Sequence, residues 1–123
     1  IETFPFFFAI AKIRNPASIN WKSPFVFVGK TDDELSLVAL ESEVPSDAYP
    51  VDRGYRMMRV AGTLDMSLTG ILARISKVLA DEEIPIFAVS TYNTDYILVK
   101  SHTFKNAVQA LSRAGYLVTN EIS

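Results

Sequence analysis

The sequence of 123 residues contains no cysteine. This absence excludes disulfides, thiolate nucleophiles and thiolate metal ligands, and it is compatible with a reducing compartment. We therefore predict a cytoplasmic location. Histidine is nearly absent as well, since His102 is the single one in the sequence and no second histidine can complete a metal cage. The composition thus predicts neither a metal site nor a bound cofactor.

Neither sign of charge is in large excess, because 12 Lys and Arg stand against 14 Asp and Glu, a net charge of -2. Such a chain has no long-range positive field for phosphate backbones, so nucleic acid is not an expected partner. Long apolar runs are also lacking. The densest one, residues 4–11, is much shorter than the roughly 20 residues that span a bilayer, so no membrane segment is expected.

Motifs of enzymes are missing too, since the sequence has no Gly-x-Ser-x-Gly elbow and no glycine-rich phosphate loop. His102 follows Ser101 just before a predicted helix, where a loop or cap role is a better interpretation than general base. The acidic run at 31–34 fits a solvated turn better than a cation site. We predict that the protein is not an enzyme; a small-molecule enzyme using Asp95 or His102 is the weaker alternative.

In the second half of the chain, the spacing of apolar residues alternates regularly between the periodicity of strands and that of helices. The apolar positions recur three and four residues apart from Leu68 onward, which predicts a helix. Thr103 is a candidate N-cap for a second helix, and Gly115 is placed to end it. Strands are predicted at 56–61, 84–90, 96–99 and 116–118. This βαββαβ order predicts a ferredoxin-like sandwich, with both helices on one face of an antiparallel sheet.

The first half is mostly β. Residues 4–10 predict a strand, and residues 25–29 and 35–40 predict a hairpin whose turn is 31–34. One helical turn is expected within 15–22, and residues 43–53 are expected to be a connector because they contain Pro45 and Pro50.

Four segments of the sequence resemble the ACT-domain proteins related to the cytosolic arginine sensors of growth control. They are TDDELSLV (31–38), DRGYR (52–56), GTLDMSLTGILA (62–73) and IFAVSTYNTDYILV (86–99). The resemblance implies an α+β fold in which a ferredoxin-like ACT domain, residues 56–123, follows a degenerate, mostly β, ACT-like half, residues 1–55. It also implies a non-catalytic regulatory domain that forms homodimers and binds an amino acid at an inter-domain seam.

The same resemblance places the ligand between the loop after the first ACT strand and elements of a neighbouring ACT domain, which corresponds here to residues 62–70 and the turn 90–95. The implied ligand-binding residues are Thr63, Leu64, Asp65, Met66, Ser67, Thr69, Gly70, Ser90, Thr91, Tyr92, Asn93, Thr94 and Asp95. Free amides at a helix start suit a ligand carboxylate, while a carboxylate such as Asp65 or Asp95 suits an ammonium group.

Each of these residues also has a structural interpretation. Asp65 can simply cap the helix, and Asp95 can fix the turn through a local side-chain bond. Gly70 can reflect tight packing, and Tyr92 can be an exposed hairpin residue or an interface anchor. The competing hypothesis for the whole protein is therefore an interaction or dimerisation scaffold that docks a protein partner and binds no ligand.

Overall fold

The computed structural model describes residues 1–60 and 70–120. Within these residues, eight strands belong to one hydrogen-bonded sheet and two α-helices accompany them, so the predicted α+β class is confirmed. The strands are β1 (Glu2–Thr3), β2 (Phe8–Lys12), β3 (Val26–Lys30), β4 (Leu35–Leu40), β5 (Val51–Arg59), β6 (Phe87–Ser90), β7 (Asp95–Lys100) and β8 (Thr119–Asn120). The helices are α1 (Ile71–Asp81) and α2 (Ser101–Arg113).

The chain divides into two compact units. The N-terminal unit is Phe6–Tyr55, and the C-terminal unit combines Ile1–Pro5 with Arg56–Ser123. Strand β5 contributes residues to both units. The prediction that residues 1–55 are a degenerate ACT-like half and residues 56–123 an ACT domain concerns evolutionary relationship. Contacts within one chain do not test such a relationship, so the division stays a prediction.

In the C-terminal unit the described strands follow the order β8, β1, β5, β7, β6. Both helices pack on the same side, because Ile75 and Leu79 of α1 share one buried cluster with Ala107 and Leu111 of α2. The ferredoxin-like arrangement of strands and helices is therefore confirmed. Strand β1 pairs with β5 and with β8, which is an addition that the sequence did not predict.

Both helices end in the same hydrogen-bonding pattern. The N–H of Ile84 donates to the carbonyl of Leu79 at 3.0 Å, and the intervening Glu83 has a positive φ of 59°. The N–H of Tyr116 closes α2 in the same way, with Gly115 at φ 100°. This is the Schellman motif, which satisfies carbonyls that the helix leaves without partners. The prediction that Gly115 ends the second helix is confirmed.

Several predicted strands have the wrong bounds, including the one at 84–90, which in the structure is only Phe87–Ser90. The aromatic segment 4–10 is not one strand, because β1 ends at Thr3 and β2 begins at Phe8. Pro5 lies in the break, and proline has no N–H to donate to a ladder. The last strand is not 116–118 but Thr119–Asn120, since Tyr116 is used in closing α2.

Two predicted element starts are also wrong. Helix α2 begins at Ser101 rather than after Thr103, because β7 runs into it directly through Lys100. The Thr103 hydroxyl instead donates to the Lys100 carbonyl oxygen at 2.9 Å. Strand β5 begins at Val51, earlier than the predicted residue 56, so the expected connector already contains sheet.

In the N-terminal unit the order is β3, β4, β2 and then the first part of β5. Its small core contains Ile13, Ile19, Leu37 and Ala39. The predicted helical turn within 15–22 is present as a 3₁₀ turn at Pro16–Ser18, and a second 3₁₀ turn, Glu41–Glu43, follows β4. Across the described residues, neither α1 nor α2 has the length and apolar character that a bilayer-crossing helix requires.

Candidate ligand site

The turn between β6 and β7 is closed by its own hydrogen bonds. The Thr91 N–H donates to the Thr94 carbonyl oxygen at 2.8 Å, and the Thr91 hydroxyl donates to the same oxygen at 2.9 Å. Immediately outside the turn, the Ser90 hydroxyl donates to Asp95 Oδ1 at 2.5 Å. The structure thus contains the local bond that was one of two interpretations of Asp95. Its contact with a ligand stays a prediction.

This hairpin is hydrogen-bonded to the backbone of Val60, which is the last residue of the described range 1–60. The Val60 N–H donates to the Asp95 carbonyl oxygen at 3.0 Å. The hydroxyl of Thr94, a residue only 9% exposed, donates to the Val60 carbonyl oxygen. The two bonds hold the turn beside the residue from which the predicted helix-start loop departs. Sequence reasoning did not single out Val60, because an apolar side chain gives no sign of backbone bonds formed 34 residues away.

The hairpin residues divide into one that is buried and several that face solvent. Thr94 has its hydroxyl committed to the fold. Ser90, Thr91 and Asn93 are exposed, and Tyr92 is 99% exposed. The structure therefore supports the interpretation of Tyr92 as an exposed hairpin residue, which leaves its ring and hydroxyl accessible to a ligand or a second protein.

Gly70 is the N-cap of α1 and has a positive φ of 79°. Its carbonyl oxygen accepts the N–H of Arg74 at 2.9 Å, which starts the helical ladder. A Cβ built on Gly70 would meet no atom within 4 Å among the described residues, so packing against a second chain stays a prediction. The left-handed backbone is itself a reason for the glycine, because glycine adopts it without steric cost.

The remaining predicted ligand residues lie outside the described part of the chain. They are Thr63, Leu64, Asp65, Met66, Ser67 and Thr69. Their roles, including the choice between capping and ligand contact for Asp65, stay predictions.

Two arginines of β5 connect different elements of the C-terminal unit through their side chains. Arg59 Nε lies 2.7 Å from Glu2 Oε1, and this hydrogen bond raises the pKa of Arg59 while burial opposes it. Arg56 lies over the Phe104 ring, 4.1 Å from its centroid, and burial lowers its pKa. Its Nη2 donates to the carbonyl of Phe4 at 2.7 Å. These guanidinium groups are therefore engaged in holding strands and helix together.

His102 lies in the first turn of α2 and is exposed, so the predicted loop position is wrong although the residue is close to the helix start. Among residues 1–60 and 70–120, no group of three or more His, Cys, Asp or Glu side chains is arranged to hold a metal ion.

A concave feature occurs in the N-terminal unit, and sequence reasoning missed it. It is an open groove of about 410 Å³ whose charged lining residues are Lys12, Glu34 and Asp52. These residues come from β2, from the turn before β4 and from β5. Because they are far apart in the sequence, no local sequence motif predicts the groove. The similarity of the turns at 31–34 and 91–94, each opened by threonine, is the one sequence signal that points to this region.

Comparison with known proteins identifies the family. Residues 51–113 match the ACT domain, and this match covers half of the chain. The chain belongs to the ACT domain family. A crystal structure of an Agobacterium tumefaciens protein is similar over 99% of this chain and 92% of that one, with 30% identity and a TM-score of 0.88. Comparison with curated proteins gives no match.

Two structures of aspartate kinases share the fold at low identity. The aspartate kinase of Clostridium acetobutylicum, an allosteric enzyme, matches 90% of this chain with 17% identity and a TM-score of 0.69, but the match covers only 33% of that enzyme. The ligand-free regulatory subunit of the Thermus thermophilus aspartate kinase matches over 91% of this chain and 93% of its own, with 11% identity and a TM-score of 0.62.

Proposed function

We propose that the protein is a non-catalytic regulatory domain that binds an amino acid beside the turn between β6 and β7. The ligand contacts are assigned to residues 63–67, Thr69, Gly70 and residues 90–95. In this proposal the ligand binds one arrangement of associated domains better than another, and so shifts the population toward it.

The observation that carries the proposal is the pair of hydrogen bonds that joins the turn to the backbone of Val60. The Thr94 hydroxyl and the Asp95 carbonyl fix the turn beside the start of the loop that the resemblance assigns to the ligand. A site whose groups are held in place by the fold loses less conformational entropy when it binds. Tyr92 and Asn93 are exposed there and offer a hydroxyl and an amide, while the Ser90 hydroxyl orients the Asp95 carboxylate.

The relatives support a regulatory role. Membership of the ACT family and the shared fold with a regulatory subunit of aspartate kinase both favour control of another activity over catalysis. The resemblance to arginine sensors makes arginine one candidate ligand among the amino acids. The cytoplasmic location predicted from the missing cysteines belongs to the same proposal.

The test is a thermal-shift screen of the full chain against the individual amino acids, including arginine, followed by titration calorimetry of each hit. Asp95→Ala should weaken binding of a hit by about tenfold, the cost of one charge-assisted hydrogen bond. Asp33→Ala, which removes an acid from the other hairpin turn, is the matched control and should bind normally. If no amino acid binds the wild type, or both variants bind like it, the proposal is wrong.

A specific observation favours self-association, which the ligand-binding and scaffold hypotheses share. In the described sheet β6 pairs with β7 alone, and its residues Phe87, Ala88 and Ser90 are exposed. An edge strand with free backbone groups and apolar side chains is a template for pairing with another chain. We propose a second copy of this chain as the occupant, which is the predicted homodimer.

Sedimentation analysis of matched edge variants tests this dimer. Phe87 and Val28 are both 37% exposed, the first on β6 and the second on β3. Phe87→Lys should convert dimer to monomer, because a lysine on an edge opposes pairing, whereas Val28→Lys should leave the dimer intact. A wild-type chain that sediments as a monomer at high concentration would contradict the dimer, and so would equal effects of the two variants.

A further inference from the structure

Tyr92 is the most exposed large apolar or aromatic side chain in the part of the chain that the structure describes, at 99%. The next in order are Leu117 at 78% and Tyr49 at 73%. Folding therefore leaves nearly the whole Tyr92 ring in water. Tyrosine is enriched among the residues that dominate binding at interfaces, because it combines a large apolar ring with a hydroxyl. Tyr92 has the properties of an anchor for a second protein.

The turn at 91–94 holds this side chain in a fixed position. It is closed by hydrogen bonds of its own, and the Thr94 hydroxyl bonds it to the Val60 carbonyl oxygen. A turn whose shape is fixed loses little conformational entropy when it docks. Two polar groups accompany the ring, namely the exposed amide of Asn93 and the carboxylate of Asp95, which a neighbouring hydroxyl orients.

The groove in the N-terminal unit contains groups of complementary chemistry. It is open, has a volume of about 410 Å³, and is lined by the apolar Ile10 and Pro50 and by the charged Lys12, Glu34 and Asp52. All three charged residues are exposed. The groove lies in the N-terminal unit and the turn in the C-terminal unit, so the two features are separate surfaces of the chain.

The strand register brings the groups of the groove together. Ile10 lies opposite Asp52 in the ladder of β2 with β5, and Lys12 lies opposite Ser36 in the ladder of β2 with β4. Directly opposed residues share a face of a sheet, as do residues two apart on one strand. The four side chains consequently lie on one face, where an apolar surface adjoins charged groups of both signs.

The two carboxylates of the groove are oriented by hydroxyl groups. The Ser36 hydroxyl donates to Glu34 Oε1, and the Tyr55 hydroxyl donates to Asp52 Oδ2 at 2.7 Å. An ionised carboxylate has about four lone-pair sites, so each can accept a further hydrogen bond. The groove thus presents two oriented acceptors and one ammonium, that of Lys12, beside an apolar lining.

The turn supplies a partner for each of these groups. The Tyr92 ring suits the apolar lining, while its hydroxyl and the Asn93 amide are two donors for the two carboxylates. The Asp95 carboxylate complements the ammonium of Lys12. The turn therefore matches the groove in apolar surface, in hydrogen-bond donors and in charge.

Two other exposed aromatic side chains match the groove less well. Trp21 is 66% exposed, but Lys22 follows it, and its ammonium would oppose that of Lys12. Tyr49 is 73% exposed, but it precedes Pro50, which lines the groove, so it lies beside the groove of its own copy. Tyr92 is the better occupant.

We propose that the turn at 91–94 of one copy docks into this groove of a second copy, with Tyr92 as the anchor. Because the turn and the groove are different surfaces, the contact is heterologous and can join copies head to tail. One turn in one groove buries much less than the roughly 1,200 Å² of a stable interface, so this contact needs a higher protein concentration than the dimer through β6. The inference goes beyond the proposed function, because it requires no amino acid.

The test mixes two full-length variants that each keep one half of the contact. Both carry Phe87→Lys, which removes pairing through β6. The isotope-labelled receptor chain also carries Tyr92→Ala and keeps its groove intact. The unlabelled donor chain carries Lys12→Glu, which reverses a charge of its own groove, and keeps Tyr92. Only the donor's turn and the receptor's groove can then combine.

Nuclear magnetic resonance of the receptor amides measures the docking at each residue. Saturable shifts are expected at residues 10–12, 34–36 and 51–52 as the donor is added. A donor that also carries Tyr92→Ala should bind at least tenfold more weakly, since it lacks the anchor. A donor that instead carries Tyr49→Ala, which removes another exposed tyrosine, is the matched control and should bind normally.

Three results would overturn the inference. They are the absence of shifts at the groove amides, shifts confined to another surface of the receptor, and equal binding by the Tyr92→Ala and Tyr49→Ala donors. If Lys12→Glu prevents the donor from folding, Glu34→Lys replaces it, because the donor needs only a groove of altered charge and an intact turn.

Discussion

The two hairpins of the chain, β3 with β4 and β6 with β7, are alike in local structure and different in what surrounds them. Each turn begins with a threonine whose N–H donates to the carbonyl three residues later, at 2.9 Å from Thr31 and 2.8 Å from Thr91. Each second strand has three consecutive buried residues, 37–39 and 97–99. Each then runs directly into helical structure, with ψ of 141° at Leu40 and 145° at Lys100.

The difference begins after these strands. In the C-terminal unit the helical structure continues as α2, of 13 residues, and its apolar face packs in a cluster with α1. In the N-terminal unit it stops after three residues, Glu41–Glu43, none of which is buried. The same hairpin therefore supports a helix-covered core in one unit and a small core in the other. A shared local pattern therefore does not fix the amount of core built upon it.

The largest expected effect comes from matched truncations of the two cores. Ile97 and Leu37 occupy the same hairpin position and are each 1% exposed. Ile97→Ala should lower the free energy of unfolding by about 4 kcal/mol, because it leaves a cavity among packed helices, and Leu37→Ala by about 2 kcal/mol. Urea denaturation measures both. An equal or larger loss for Leu37→Ala would contradict the comparison.

The next largest expected effect is a difference in stability between variants of the two turns. Thr94→Val removes the buried hydroxyl that bonds the Val60 carbonyl, and it should cost about 2 kcal/mol because a buried polar group loses its partner. Glu34→Gln, at the corresponding exposed turn position, should change stability by less than about 0.5 kcal/mol. Urea denaturation of both variants is the measurement, and a neutral Thr94→Val would show that the hydroxyl does not hold the turn.

Substitutions at two glycines should have smaller effects on stability, and the two effects should differ in sign. Gly70→Ala should destabilise by about 1 kcal/mol, because alanine must adopt a φ of 79° there. Gly29→Ala, in the exposed strand β3, should be neutral or stabilise by about 0.5 kcal/mol, because a Cβ meets no described atom within 4 Å and alanine loses less backbone entropy than glycine on folding. Thermal unfolding of the two variants decides, and a stabilising Gly70→Ala would refute the backbone argument.

The smallest effect is a dependence on alkaline pH that originates in the N-terminal unit. Burial and Asp52 raise the pKa of Tyr55 from 10.0 to about 12. The stability that this shift represents is full below pH 10 and is lost as the pH rises toward 12. Tyr55→Phe should therefore lose stability less steeply than the wild type over that range. Denaturation curves on both sides of pH 10 test this, and identical slopes would contradict it.

Much of the fold could be predicted from the sequence because its signals are local. The strand at 35–40 has the predicted bounds, and Gly115 ends α2 as expected, since periodicity and helix ends depend on neighbours in the chain. The break at Pro5 was missed because aromatic content outweighed one proline. The insertion of β1 between β5 and β8 could not be predicted, because a strand of two residues has no periodicity and pairs with residues at the other end of the chain.

The candidate site was predicted in part for the same reason. The turn at 91–94 has local chemistry, which the sequence displays. Its attachment to Val60 and the gathering of Lys12, Glu34 and Asp52 in one groove depend on strand register, which a single sequence leaves open.

Composition and residue spacing act over a few neighbours, and they were enough to define the class of fold, the βαββαβ order of the second half and the lack of thiol groups. Which distant residues meet depends on long-range pairing: Thr94 buries its hydroxyl on Val60, and Lys12, Glu34 and Asp52 line one groove of the N-terminal unit. Those outcomes depend on hydrogen-bond register between distant strands, where a shift of one residue would turn each side chain to the other face.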